Sequence, residues 1–115
     1  MTLQTAMPAL LALALGSAAL AHSSPEAYTP ANGATVAEVP EIAIAFDEPM
    51  RVISAALLLD GDEVEIERAT GMDPVTAFRA SPSEALAPGA YEFEWRGMSA
   101  DGHPMQGGFG FTVAD

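Results

Sequence analysis

The chain has 115 residues, a net charge of −12 and no cysteine. That length allows one small domain. Without disulfide staples, its stability must come from packing, a metal, or both. Four cationic residues, all arginine, oppose sixteen carboxylates, a field that disfavours nucleic acid and anionic membrane surfaces as partners.

Residues 1–21 read as a secretory signal peptide, cleaved on export. "MPALLALALGSAALA" is an apolar run ending in Ala19-Leu20-Ala21, a small-x-small cleavage pattern. The run is too short for a spanning helix, and no second apolar segment follows. Its weak point is "MTLQTAM", which offers no Lys or Arg before the run. Cleavage after Ala21 leaves residues 22–115 as the mature domain, with His22 at the new N-terminus.

From there the chain alternates with period two, the signature of half-buried strands. "EIAIAF" sets Ile42, Ile44 and Phe46 on one face, and "VISAALLLD" predicts a separate, more buried strand. "EVEIE" sets Val64 and Ile66 against three glutamates, with a hairpin closing at Asp60-Gly61. "ASPSEALAPG" is too proline-rich for a long helix and predicts a loop. "YEFEWR" buries Tyr91, Phe93 and Trp95, and "GFGFTV" buries Phe109, Phe111 and Val113. Asn32-Gly33, Pro88-Gly89 and Asp101-Gly102 mark further turns. The expectation is an all-β, immunoglobulin-like Greek-key sandwich of about seven strands.

Candidate chemistry gathers at the two histidines. Asp101 and His103 stand two apart in "SADGHPMQGG". On an extended segment both would leave by one face, whereas an ordinary Asp-Gly hairpin turn would make His103 a polar turn residue. Processing adds a second pointer. As residue one, His22 offers its α-amine and Nδ1, which close a six-membered chelate ring on a single ion. The amine titrates near 7.7–8.0 and imidazole near 6.5, so a metal displaces those protons readily at neutrality. With His103 and an Asp101 oxygen the set is N3O. Such a set favours Cu(II) when tetragonal, with Ni(II) a weaker fit and tetrahedral Zn(II) open. Ser24 occupies the third mature position, so a purely local amino-terminal copper peptide cannot form. The ion must be shared with a distant segment, and His103 is the other imidazole.

Methionines are scattered, and single ones fill cores well; Met105 is the first candidate for a thioether near the ion. Ser99 has no second orienting histidine for a nucleophilic dyad, and "GG" at Gly107-Gly108 precedes a strand rather than a phosphate-binding helix.

Taken in order, His22 after the cleavage site, "TPANGATV" (29–36), "IAFDEPM" (44–50) and "LAPGAYEFEWRGMSADGHPMQGGFGFTV" (86–113) resemble the CopC/PcoC family of periplasmic copper-resistance proteins. The resemblance covers nearly all of the mature part. It implies a seven-stranded β-sandwich that binds Cu(II), one per mature chain, through His22, Asp101 and His103. It also implies a glutamate close to the copper at Glu48, with a solvent-facing strand-end carboxylate as the alternative. The role implied is non-enzymatic: copper binding in the periplasm for sequestration or delivery. Partners would be the ion and an inner-membrane importer or another periplasmic copper protein, with the chain itself a monomer. Some members bind Cu(I) on a methionine-rich loop at the opposite end; the tight Asp60-Gly61 turn stands in its place here. Two other readings are a histidine-brace copper monooxygenase and a metal-free interaction domain.

Overall fold

The structure, a computed structural model, describes residues 25–115. The expected signal peptide (1–21) and His22 lie outside the described residues. Eight strands follow in order: β1 (Pro25–Thr29), β2 (Thr35–Val36), β3 (Ile42–Leu59), β4 (Asp62–Val64), β5 (Ile66–Arg68), β6 (Val75–Pro82), β7 (Gly89–Ser99) and β8 (Pro104–Val113).

β3 organises the molecule. Its first half pairs with β1 on one side and β6 on the other, and β5 adds to β6. Its second half pairs with β4 and β7; β8 adds to β7, and the short β2 joins β8 in parallel. One strand thus runs through both layers of a sandwich. "EIAIAF" and "VISAALLLD", expected as two strands, are one continuous element.

The alternation supplies the core. Ile42, Ile44, Phe46, Phe78, Phe93, Trp95 and Phe109 are all buried. Aromatic contacts span the layers: Phe46 meets Trp95 edge-on at 5.2 Å, Tyr28 stacks on Phe109 at 4.2 Å, and Phe78 lies 6.2 Å from Phe93. Such pairs add directional preference to the apolar area they bury. The Tyr91 hydroxyl donates to the Ala87 carbonyl at 2.6 Å, as in the tyrosine corner of immunoglobulin-like sandwiches.

Two expectations change. "VISAALLLD" is not uniformly buried: Val52 and Leu57 face the core, but Ile53 is 46% exposed. The cause is a register shift between Val52 and Ser54, a bulge that turns Ile53 outward. "EVEIE" is two strands, not one. The hairpin closes as expected, with Asp60 and Gly61 at φ 53° and 86°, the two positive values of a type I′ turn. After Val64 the chain leaves β3, and from Ile66 it pairs with β6 instead. At that crossing the Glu65 carbonyl accepts the Ser83 amide at 3.1 Å.

Arg68 ties the crossing in place. Its guanidinium donates to the carbonyls of Val52 (2.7 Å), Gly71 (3.0 Å) and Thr70 (3.1 Å), and lies 5.0 Å over the Phe78 ring. In an acidic chain, this cation is spent on backbone oxygens rather than on a carboxylate.

Candidate metal centre

The centre is built on the turn between β7 and β8. Strand pairing runs down to Met98 opposite Pro104. Ser99 N–H then donates to the His103 carbonyl, and Gly102 N–H to the Ser99 carbonyl, both at 2.9 Å. Gly102 has φ +88°. A three-residue loop of this kind needs a left-handed residue at its third position, and glycine takes it without strain. Asp101 and His103 are therefore turn residues, not members of one extended strand.

They nevertheless converge. His103 Nδ1 lies 3.1 Å from Asp101 Oδ2, with side chains 70% and 45% exposed. The other carboxylate oxygen, Oδ1, accepts from the Ser99 hydroxyl. That same hydroxyl accepts the His103 amide at 3.1 Å. Ser99 is 5% exposed, the one buried polar residue among those described. Its hydroxyl holds the Asp101 carboxyl below the usual carboxylate range; desolvation opposes this, and the charge and hydrogen bond of His103 add to the lowering.

The arrangement is that of a metal-ready imidazole. Nδ1 and Oδ2, 3.1 Å apart, stand as two neighbouring donors to one ion would, with Oδ1 held by Ser99. Asp101 and His103 are one pair, however. Among the described residues no group of three or more His, Cys, Asp or Glu side chains gathers to hold a metal. The described donors amount to half a coordination set.

Glu48 is exposed on β3, two residues before Met50, whose partner across the ladder is Ser99. It thus sits at the same end of the sandwich as the turn, with no ion pair to His103. Met105 pairs with Gly97 inside β8 and packs half-buried against the core, below the turn rather than on it. The N-terminal strand arrives at this end too: Pro25 is opposite Phe46, and the residues of β3 that follow Phe46 lead through Glu48 to Met50.

Sequence reasoning missed Ser99 as an organiser of this site. Its one visible signal was a Ser-x-Asp-x-His spacing at a strand end; the hydrogen bonds that give it meaning exist only in the folded turn.

Residues 26–114 match the CopC domain family. Over 114 residues the chain is 30% identical to copper resistance protein C of Escherichia coli, covering 90% of each. Against copper resistance protein C of Pseudomonas syringae pv. tomato the figures are 29% over 122 residues, covering 96% of each. The crystal structure of PcoC, a methionine-rich copper resistance protein from Escherichia coli, superposes with TM-score 0.68 at 30% identity, covering 81% of this chain and 99% of that one. CopC from Methylosinus trichosporium OB3b shares the fold, with TM-score 0.69 at 24% identity over 81% of this chain and 94% of its own. On the domain match and these relatives, the chain belongs to the CopC family.

Proposed function

We propose that the mature chain, exported to the periplasm and starting at His22, binds one Cu(II) ion for copper resistance, by sequestration or delivery. His22 supplies amine and Nδ1, His103 an imidazole nitrogen and Asp101 an oxygen. CopC proteins are copper-binding resistance proteins and not enzymes, so the monooxygenase alternative falls away.

The observation that carries the reading is that the start of β1 and the turn lie at one end of the sandwich. Asp101 and His103 are paired and exposed there. Pro25 enters the sheet opposite Phe46 at that end. His22 stands three residues before Pro25, and three residues span at most about 10 Å. On this reading, so short a tether lets His22 bring its two nitrogen donors to the half-set. Two nitrogens from His22 added to one from His103 and an oxygen from Asp101 satisfy the tetragonal preference of Cu(II). Glu48, exposed at the same end of the sandwich, would be a weak or outer carboxylate beside the ion. Met105 supports the hairpin from below.

The ion is cargo, so a tight but exposed site is what the role requires. Partner proteins would approach the open side of the turn, where His103 is 70% exposed. The test is a competition titration with Cu(II) on chain beginning at His22, with one tight equivalent expected and loss of most affinity when His22 or His103 becomes alanine. Full retention of affinity in both variants would sink the reading.

A further inference from the structure

We propose that the open edge of β8 is a docking strip for the protein that exchanges the ion. The partner adds to it an extended segment with basic side chains at alternate positions. That the segment belongs to a copper-exchanging protein rests on the copper reading above; the strip itself stands on the backbone.

β8 pairs with β7 along its length without a register break. On its other side it meets β2 at Thr112 and Val113. There Thr112 N–H donates to the Ala34 carbonyl, the Gly110 carbonyl accepts Gly33 N–H, and Gly110 N–H donates to Asn32 Oδ1. Successive residues of a strand turn their amides and carbonyls to opposite neighbours. Gly110 and Thr112 face away from β7, so Gly108 and Gln106 do too. Among the described residues no backbone hydrogen bond reaches these two on that side, and both are exposed. Sheets commonly guard such an edge with lysine or proline. From Met105 to Phe109 this one carries neither, and five residues give about 17 Å of strand to pair with.

The outer face of the sheet sets the charge of the occupant. A trough of 780 Å³ lies beside the strip, lined by Glu63, Glu92 and Glu94, with Arg96 towards the turn. Its floor is bare at Gly108 and Gly110, and the carboxylates lean over it. Glu92 Oε2 lies 3.1 Å from where a Gly110 β-carbon would stand, and Glu94 Cγ 3.8 Å from that of Gly108. Neither glutamate is in an ion pair among the described residues. On the inner face, Trp95 Nε1 is buried without a hydrogen-bond partner, 3.0 Å from the β-carbon that Gly107 lacks. An orphaned donor is rare in a packed core, and an added strand can bring an acceptor to it past the bare glycine. A second copy of this chain would set carboxylate against carboxylate at a net charge of −12 per chain, so a cationic partner is the fitting occupant. Pro104 follows His103 directly, which places the docked segment beside the Asp101–His103 turn.

The experiment titrates 15N-labelled, copper-free chain starting at His22 with a capped eight-residue peptide alternating lysine and valine. The largest shifts are expected at Gln106, Gly107 and Gly108, with amide exchange of Gln106 and Gly108 slowed. Gln106→Pro deletes one outward N–H at an edge, where proline is tolerated, and should weaken binding about 2–10-fold. Glu92→Gln with Glu94→Gln should weaken it too and flatten its salt dependence. Glu65→Gln with Glu67→Gln, at the crossing and on β5, should leave it unchanged. Shifts spread over every acidic surface, or equal losses in the two double variants, would overturn the proposal. So would a dimer of the chain alone, seen by sedimentation and dissolved by Gln106→Pro, which makes a second copy the occupant. In the Cu(II)-loaded chain, resonances of the docked peptide should broaden at the end nearest Pro104. Docking without broadening on a chain that holds its ion overturns the exchange role. A chain that takes up no ion but still docks the peptide keeps the strip and sinks the copper reading, and the exchange role with it.

Discussion

Asp101 Oδ2 and His103 Nδ1 face each other at 3.1 Å across a turn whose tip needs a left-handed glycine. A carboxylate and an imidazole so joined put two potential donors side by side, and the rest of the sandwich fixes where that pair stands.

The pair has a pH signature. The folded pKa of Asp101 lies below the 3.8 of an unperturbed aspartate, chiefly because the Ser99 hydroxyl donates to it. A carboxyl depressed on folding contributes stability that is complete above the unfolded value and is lost as pH falls through the folded one. In the copper-free protein, a carboxyl-carbon NMR titration should therefore give Asp101 a midpoint below 3.8, and Ser99→Ala should move it upward. A midpoint at or above the unfolded value would contradict the anchored geometry.

Asp101→Asn tests the charge without emptying the space. An amide oxygen is a weaker metal donor than a carboxylate, and the negative charge that would meet the ion is gone. Cu(II) affinity should fall by at least about tenfold, the lower bound for losing even an outer partner, measured by competition, while the apo melting temperature changes little because the side chain is 45% exposed.

Gly102→Ala tests the turn. A methyl there meets no atom within 4 Å, but φ is +88°. A side chain in that region costs about 1–2 kcal/mol, which in a domain this size lowers the melting temperature by about 4–8 °C per kcal/mol. Gly97→Ala should be worse, since its Cβ would lie 2.6 Å from the Arg51 carbonyl oxygen, a backbone atom with no room to retreat. Overpacking of this kind costs about 1–3 kcal/mol or more. Thermal melts of the two variants should rank in that order.

Arg68→Ala should destabilise by about 1–2 kcal/mol through lost charge-assisted bonds to backbone carbonyls. Arg68→Lys should not restore it, because an ammonium lacks the planar fork that reaches Val52, Thr70 and Gly71 at once. Chemical denaturation of the three proteins decides the point.

The strands were legible because their chemistry is periodic. Tyr91, Phe93 and Trp95 alternate with Glu92, Glu94 and Arg96, and the first three are buried as their spacing demands. The Asp60-Gly61 turn was legible for the same local reason. Pairing partners were not. Nothing in "EVEIE" marks Glu65 as the residue where the chain changes layers, since both halves keep one alternation. Nor does Asp47-Glu48-Pro49 show that β3 continues through it. Asp101 and His103 were visible as residue types at a telling spacing, but their convergence comes from a turn rather than from an extended face. Ser99 and Arg68 escaped because a hydroxyl or guanidinium acquires its role only from the carbonyls and carboxylates that folding brings near it.

The central claim is that the amine of His22 and the Asp101–His103 turn share one ion. Its most direct test compares Cu(II) affinity of chain starting at His22, confirmed by mass spectrometry, with the same chain carrying one extra residue before it. The account predicts one tight equivalent for the first and loss of most of that affinity for the second. Equal affinities would contradict it.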